Sequence, residues 1–379
     1  MRTAACVALV LMLTGGSTAA SRSCVIRVPQ DAPTVRVAIA RAHDGDTILL
    51  DRGRYPGGWT IPVAKHDLTL RGVDRNGVVL DGANRRRNGI VVRADGVTLV
   101  NLSAHDFLEN AFYWHDADRY RGSYLTAWNV RGYGIYVEDG VDGVLDHDYV
   151  SGAADAAYYV GECRPCRATV EHVVARLSAV GYSGTNSTGV VIRDSLWDRN
   201  GAGIVPNSYA NEPLPPTERT AIVGNIVVDS GRAAVPIRSE LAGFVGVGIA
   251  LAGASRSTVS ANRVLHSTRY GIAVFSTARY VTFDPHAKRD PAPRWQPHAN
   301  RVTGNIARGS GIADLAVASG SDGSSSFARN RVGRTLFAAP RVSADLEARV
   351  RVMVRDTLRR RRPPDYRTTP APPPQPSAP

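Results

Sequence analysis

The sequence predicts an all-β solenoid, one chain coiling through short parallel strands, and three observations predict it. A short motif returns along the chain: Asn88-Gly-Ile-Val-Val, Asn110-Ala-Phe-Tyr-Trp, Tyr133-Gly-Ile-Tyr-Val, Ala156-Ala-Tyr-Tyr-Val, Ala202-Gly-Ile-Val-Pro, Val247-Gly-Ile-Ala-Leu and Tyr270-Gly-Ile-Ala-Val. Most neighbouring copies lie about 21 to 25 residues apart, the length of one turn of a coil whose strands stack on themselves. Between copies runs a second recurrence of valine-rich segments, each ending in Asn or Asp.

Each element has a local reason. A strand sends alternate side chains to opposite faces. With Gly134 as reference, Ile135 and Val137 point inward while Tyr136 and Glu138 point outward. The same register puts Ile90, Val92, Phe112, Trp114, Tyr158, Val160, Ile204, Pro206, Ile272 and Val274 into one buried column. Burying each large apolar side chain contributes about 1.5 to 3 kcal/mol, so the stack is held rung by rung. The valine-rich segments end at Asn101, Asp194, Asn225, Asn262, Asn305 and Asn330. Asn and Asp tolerate the left-handed conformation and bond to nearby backbone, which suits a tight corner between parallel strands. These residues are read as structural ladders.

The opening Ile26-Arg-Val-Pro-Gln-Asp-Ala-Pro-Thr-Val-Arg-Val-Ala-Ile-Ala-Arg-Ala-His-Asp-Gly-Asp-Thr-Ile-Leu-Leu-Asp-Arg-Gly-Arg-Tyr55 resembles the first-rung signature of the pectate-lyase-like superfamily, and the resemblance covers about residues 25–340. It implies a single-stranded right-handed parallel β-helix. It also implies a helix near Thr34 that plugs the end of the coil, and a first strand starting at Gly45-Asp46-Thr47-Ile48. Thr34 suits an N-cap, and Val35, Ala38, Ile39 and Ala42 form one apolar stripe. The superfamily holds lyases, hydrolases, epimerases, esterases and proteins without known activity, so the reaction has to be argued from residues.

The ends read differently. Residues 1–20 form a basic, then apolar, then small-residue segment, expected to be a signal peptide cleaved near Ala20. The apolar run falls short of the ~20 residues that span a bilayer, so a secreted or cell-envelope protein without a transmembrane segment is expected. Residues 25–340 are read as the coil. Residues 341–362 are read as a basic C-terminal helix, with Leu346, Val350, Met353 and Leu358 on one face, covering the last rung. Residues 363–379 are read as a Pro-rich tail, disordered or extended. The formal charge is +12. It suits either anionic polymers such as uronate polysaccharides or a solvated basic tail with no partner, while no interleaved basic and aromatic motif supports nucleic acid. The chain is read as a monomer. Cys163-Arg-Pro-Cys166 is expected to close a disulfide that orders its loop, worth about 2 kcal/mol for so short a ring. With the signal removed, Cys24 is left as an unpaired thiol.

The outward positions carry the chemistry. The first outward column reads Val91, Tyr113, Tyr136, Tyr159, Ser183 and Val205; the second reads Arg93, His115, Glu138, Gly161, Thr185 and Asn207. Strands about 4.8 Å apart should stack the three tyrosines beside a cation, an imidazole and a carboxylate. Sugar rings pack on aromatic faces, and charged groups bond to hydroxyls and carboxylates. The catalytic candidates are therefore His115, Glu138, Arg93 and Glu162. The substrate-binding candidates are Tyr113, Tyr136, Tyr159, Asn186 and Asn207. Glu162 and Asn186 lie one residue beyond the column, and a slip of one residue changes the face. The resemblance implies that the loop Glu138-Asp-Gly-Val-Asp-Gly143 offers carboxylates to Ca²⁺, as in many pectate lyases; the alternative is a set of plain turns. No other cofactor is indicated.

Three reactions could use this ladder. Elimination from a uronate needs a base, here His115 or a Tyr, and Arg93 or Ca²⁺ to neutralise the substrate carboxylate. Epimerisation starts the same way. Hydrolysis needs two carboxyl groups, with Glu138 and Glu162 as the ladder pair. The preferred reading is an exported polysaccharide-binding protein that acts as a lyase or epimerase on an acidic glycan. A non-catalytic envelope or surface binding protein is the alternative, and a glycoside hydrolase ranks behind both. Phe283-Asp-Pro-His286 resembles the Asp-Pro-His-Asp motif of mannuronan epimerases but has Ala287 for the last Asp, and is read as coincidence. His147 is read as part of a solvated turn. The insertion Ser208 to Thr217 is read either as a wall beside the groove or as an inert bulge.

Overall fold

The protein is described by a computed structural model covering residues 23–209, 212–238, 243–277, 295–318, 324–337 and 364–379. Parallel strands stack into three faces. The first holds Trp59–Ile61, Ile90–Val92, Phe112–His115, Ile135–Glu138, Ala156–Gly161, Val180–Thr185, Ala202–Asn207, Val247–Ala252, Tyr270–Phe275, Ala313–Val317 and Thr335–Phe337. The second runs from Val25–Val28 and Thr47–Leu50 to Ser326–Ala328, and the third from Gly53–Tyr55 to Arg331–Val332. The result is a right-handed parallel solenoid of about 12 turns. Thr98–Phe107 and Arg121–Val130 each serve two faces in one strand, bending at Asn101 (φ 55°) and Tyr124 (φ 53°).

The apolar column falls where alternation puts it. Ile90, Val92, Phe112, Trp114, Ile135, Val137, Tyr158, Val160, Ile204, Ile272 and Val274 are fully buried in one core that runs the length of the coil. The corner residues Asn225, Asn262, Asn305 and Asn330 form a ladder. The Asn225 backbone N–H donates to Asn262 Oδ1 at 2.9 Å, that of Asn262 to Asn305 Oδ1 at 3.0 Å, and that of Asn305 to Asn330 Oδ1 at 3.0 Å. Asn101 stands at the same corner, but its side chain is used elsewhere, as described below.

Val35–Arg41 is the α-helix among the described residues; Thr34 Oγ1 accepts from the Val37 N–H at 3.3 Å, and Val35, Ala38 and Ile39 are buried. Its stripe packs against Val25–Val28, Thr47–Leu50 and Trp59–Ile61. The expected signal peptide, the expected C-terminal helix and Phe283 to His286 lie outside the described residues. No helix among the described residues is long and apolar enough to cross a membrane. Cys163 and Cys166 form a disulfide with Cα atoms 4.8 Å apart. In the full chain, which retains residues 1–20, Cys24 is also disulfide-bonded.

The tail takes the extended alternative. With a 3-10 turn at Tyr366–Thr368, residues 364–379 run across the third face to its corner with the second. Tyr366 Oη donates to Asn84 Oδ1 at 2.9 Å, and Arg71 Nη2 donates to the Pro379 carbonyl at 2.8 Å. Composition alone left both alternatives open because the segment has little apolar surface; hydrogen bonds to the coil replace that surface.

The outer side of the first face is covered over most of its length. Val205, Phe244, Val247, Tyr270, Phe275 and several alanines form a second apolar cluster outside the coil, with Tyr133, Tyr209 and Ile237 packed against it. Arg238 fixes this cover by pairing with buried Asp155 at 2.9 Å. Tyr113, His115, Tyr136 and Glu138, on the earlier rungs, remain part-exposed.

Candidate active site

The predicted register is the observed one. Tyr136 pairs with Tyr113 on one side and Tyr159 on the other, and Glu138 pairs with His115 and Gly161. Val91 is opposite Tyr113, Ser183 opposite Val205, and Thr185 opposite Asn207. The rings of Tyr113 and Tyr136 stack with centroids 4.6 Å apart, and Tyr136 meets Tyr159 edge-on at 4.9 Å. Tyr133, which the outward columns did not include, stacks on Tyr136 at 4.4 Å.

Beside the rings, Glu138 gathers its neighbours. Its Oε2 accepts from the Tyr113 hydroxyl and lies 3.0 Å from His115 Nδ1. Glu162 sits at a left-handed corner (φ 56°), and its Oε1 accepts from the Tyr159 hydroxyl at 3.3 Å. Arg93 is exposed on the preceding rung, where its charge acts on the Tyr113 phenol.

Three substrate-binding candidates are corrected in part. Tyr159 is 3% exposed, Asn207 1% and Asn186 0%. The physical reason is the insertion after Asn207, which folds back over these rungs. Asn186 Nδ2 donates to the carbonyls of Tyr209 at 2.8 Å and Glu212 at 3.0 Å, and its Oδ1 accepts from the Tyr209 N–H at 3.0 Å. Asn207 Oδ1 accepts from Thr185 Oγ1 at 2.8 Å, and its Nδ2 donates to Ser183 Oγ at 3.1 Å. Asn186 and Asn207 therefore hold the wall of the cleft, and only the edge of Tyr159 reaches its floor.

That wall supplies a residue sequence reasoning missed. Glu212 faces Glu162, and burial raises its carboxyl above the ordinary range. Its signal was a lone Glu in a Pro-rich insertion directly after a ladder residue. Burial first, then the charges of Glu212 and Glu138, lift the Glu162 carboxyl from 4.5 to about 7. Burial, and then the bond to Glu138, push the Tyr113 phenol up; burial does the same for Tyr136.

The sign of the Glu162 shift gives a stability prediction. The folded state favours the neutral acid, so the stability this group contributes is full below its unfolded value and lost as the pH rises to about 7. Glu162→Gln cannot ionise. It should melt with the parent near pH 4 and above it near pH 8, which thermal unfolding at the two pH values checks.

In the loop after Glu138, two of the carboxylates considered for calcium already have side-chain partners. Asp142 is held by Arg167, whose Nε and Nη2 donate to it at 2.5 and 2.6 Å, and Glu138 is engaged by Tyr113 and His115. Among the described residues the cluster able to hold a cation is Asp81, His105 and Asp106 on the third face, with ligand atoms within 4.8 Å of one another. His147 stacks between Tyr124 at 4.7 Å and His172 at 5.2 Å, along the corner between the second and third faces.

The family described as the right handed beta helix region matches residues 88–285, more than half of the chain. The chain belongs to this family. Among solved structures, the β-helix is similar to an alginate lyase from Paenibacillus sp. str. FPU-7, with 14% identity, a TM-score of 0.50, and coverage of 80% of this chain and 94% of that one. It is similar to ORF18 of Geobacillus virus E2, with 10% identity, a TM-score of 0.52, and coverage of 83% and 60%. It also resembles the A-module of the Azotobacter vinelandii mannuronan C-5 epimerase AlgE6, with 12% identity, a TM-score of 0.47, and coverage of 78% and 91%. At these identities the likeness is one of fold. No curated protein matches the chain.

Proposed function

We propose that this β-helix is an exported polysaccharide lyase or epimerase acting on a uronate-containing glycan, bound over Tyr113 and Tyr136. The observation that carries the reading is the hydrogen-bonded set Tyr113–Glu138–His115 beside a carboxyl held near neutrality. Glu138 accepting from Nδ1–H fixes the His115 tautomer and leaves Nε2 with the free lone pair, the arrangement of a general base. His115 takes the proton beside the substrate carboxylate, and Arg93 pairs with that carboxylate as charge develops. Glu162, still carrying its proton below about pH 7, supplies it to the leaving oxygen. Tyr113 stays protonated and orients Glu138. The fold-level likeness to an alginate lyase agrees with this reading.

A second reading rests on one observation, the three carboxyl groups of Glu138, Glu162 and Glu212 around one cleft. A Glu162 held protonated beside a second carboxyl is the kind of pairing that glycoside hydrolysis uses. One experiment separates them. Incubation with alginate, pectate, hyaluronan and neutral glycans should give ultraviolet absorbance of an unsaturated uronate product from an acidic polymer, or deuterium incorporation from solvent if the product is an epimer. New reducing ends without absorbance would establish the hydrolase. Binding without either product would leave a non-catalytic glycan-binding protein.

A further inference from the structure

On the side of the coil away from the first face, the third face and its corner with the second form a trough, and residues 364–379 lie in it. Seven of these sixteen residues are proline, which removes backbone donors and favours an extended chain without internal hydrogen bonds. Its peptide groups therefore need partners from outside, and side chains of the coil supply them. Asn76 Oδ1 accepts from the Gln375 N–H at 2.8 Å while its Nδ2 donates to the Gln375 carbonyl at 2.8 Å. Asn101 repeats the two-way pairing with Ala378, accepting at 2.6 Å and donating at 3.4 Å. Each pair imitates one step of a β-ladder, reading main chain as in strand addition.

Arg75 is the anchor. It is 1% exposed, and its guanidinium is divided between coil and tail: Nε donates to Thr126 Oγ1 at 2.7 Å and Nη1 to the Pro376 carbonyl at 3.0 Å. Its backbone N–H donates to Ser377 Oγ at 3.0 Å. Farther along, Asn129 Nδ2 donates to the Arg367 carbonyl at 3.4 Å. Gly152 leaves room for Thr369: a Cβ there would stand 2.4 Å from Thr369 Oγ1. Asn76, Asn101, Asn129 and Gly152 belong to successive turns, the ones that lead into the strands or corners bearing Arg93, His115, Glu138 and Glu162.

We propose that this trough is a peptide-binding site for an extended Pro-rich segment, and that the chain's own residues 364–379 occupy it as a detachable strap across the turns that carry the cleft. The described contacts between strap and trough are non-covalent, and residues 338–363 connect the strap to the last strand. The site reads main chain through Asn76, Asn101 and Asn129, so proline content and extension define its ligand more than side-chain identity does.

The test keeps the full chain and inserts a specific protease site after Arg362. After cleavage, the 364–379 fragment should co-elute with the coil on size exclusion and be displaced by excess synthetic peptide of the same sequence. Asn76→Ala with Asn101→Ala should speed its release about tenfold or more. Gln375→Pro with Ala378→Pro, which removes the two N–H donors and leaves the coil untouched, should do the same even if the coil variant folds poorly. A fragment that separates at once from the unmutated coil, or one retained equally well with both prolines in place, would overturn the proposal.

Discussion

Glu138→Gln should lower turnover by about two to four orders of magnitude while leaving the thermal melt almost unchanged. The carboxylate is the shared acceptor of the Tyr113 hydroxyl and His115 Nδ1. Both bonds go to one oxygen, Oε2, which an amide oxygen could replace as acceptor; what Gln lacks is the negative charge that stabilises the imidazolium formed when His115 takes the proton. The loss should appear in kcat with KM little changed, because Tyr113 and Tyr136 still present their rings to the sugar. The side chain is part-exposed, so the fold has little to lose. Steady-state kinetics and a melt on the same preparation check both halves; turnover at the parent rate would remove Glu138 from the chemistry.

Asn262→Ala should cost about 2 to 6 kcal/mol. Its Oδ1 accepts from the Asn225 N–H, and its Nδ2 donates to the Ile222 carbonyl at 2.9 Å; both partners are buried. Alanine leaves those two backbone groups facing a dry corner with nothing to bond. Because each turn of a solenoid touches only its neighbours, the damage should start locally and open the C-terminal turns first. Urea unfolding gives the magnitude, and amide hydrogen exchange shows where protection is lost. An unchanged midpoint would mean that water enters the corner and replaces the ladder.

Much of this was legible in the chain. A period near the length of one turn combined with two-residue alternation leaves one register free of buried charge, so the pairing of Tyr136 with Tyr113 and of Glu138 with His115 could be read before any coordinates. The Asn corners were legible because an Asn recurs with each turn, but the left-handed residue is the one before it, Gly224 (φ 69°), Ala261 (φ 56°), Gly304 (φ 67°) and Arg329 (φ 54°), and the Asn serves through its side chain. The wall after Asn207 was one of two readings of the sequence, but that it buries Tyr159, Asn186 and Asn207 was not legible, because an insertion without a period rests where shape allows. Glu212 was missed on the same account. The strap was missed because a polyproline-like chain carries no apolar pattern, and its partners sit some 300 residues earlier, as the 299-residue separation of Asn76 and Gln375 shows.

The partial cover on the first face also sets how much of a ligand the protein can sense. From the rung of Arg93 to that of Glu162 is three strand spacings, roughly 14 Å. A long polymer laid across this opening would be gripped over only a few sugar units, with the rest trailing in solvent at either side. Chain length should then matter little to recognition, and the protein would read the local composition of a glycan instead of its overall size.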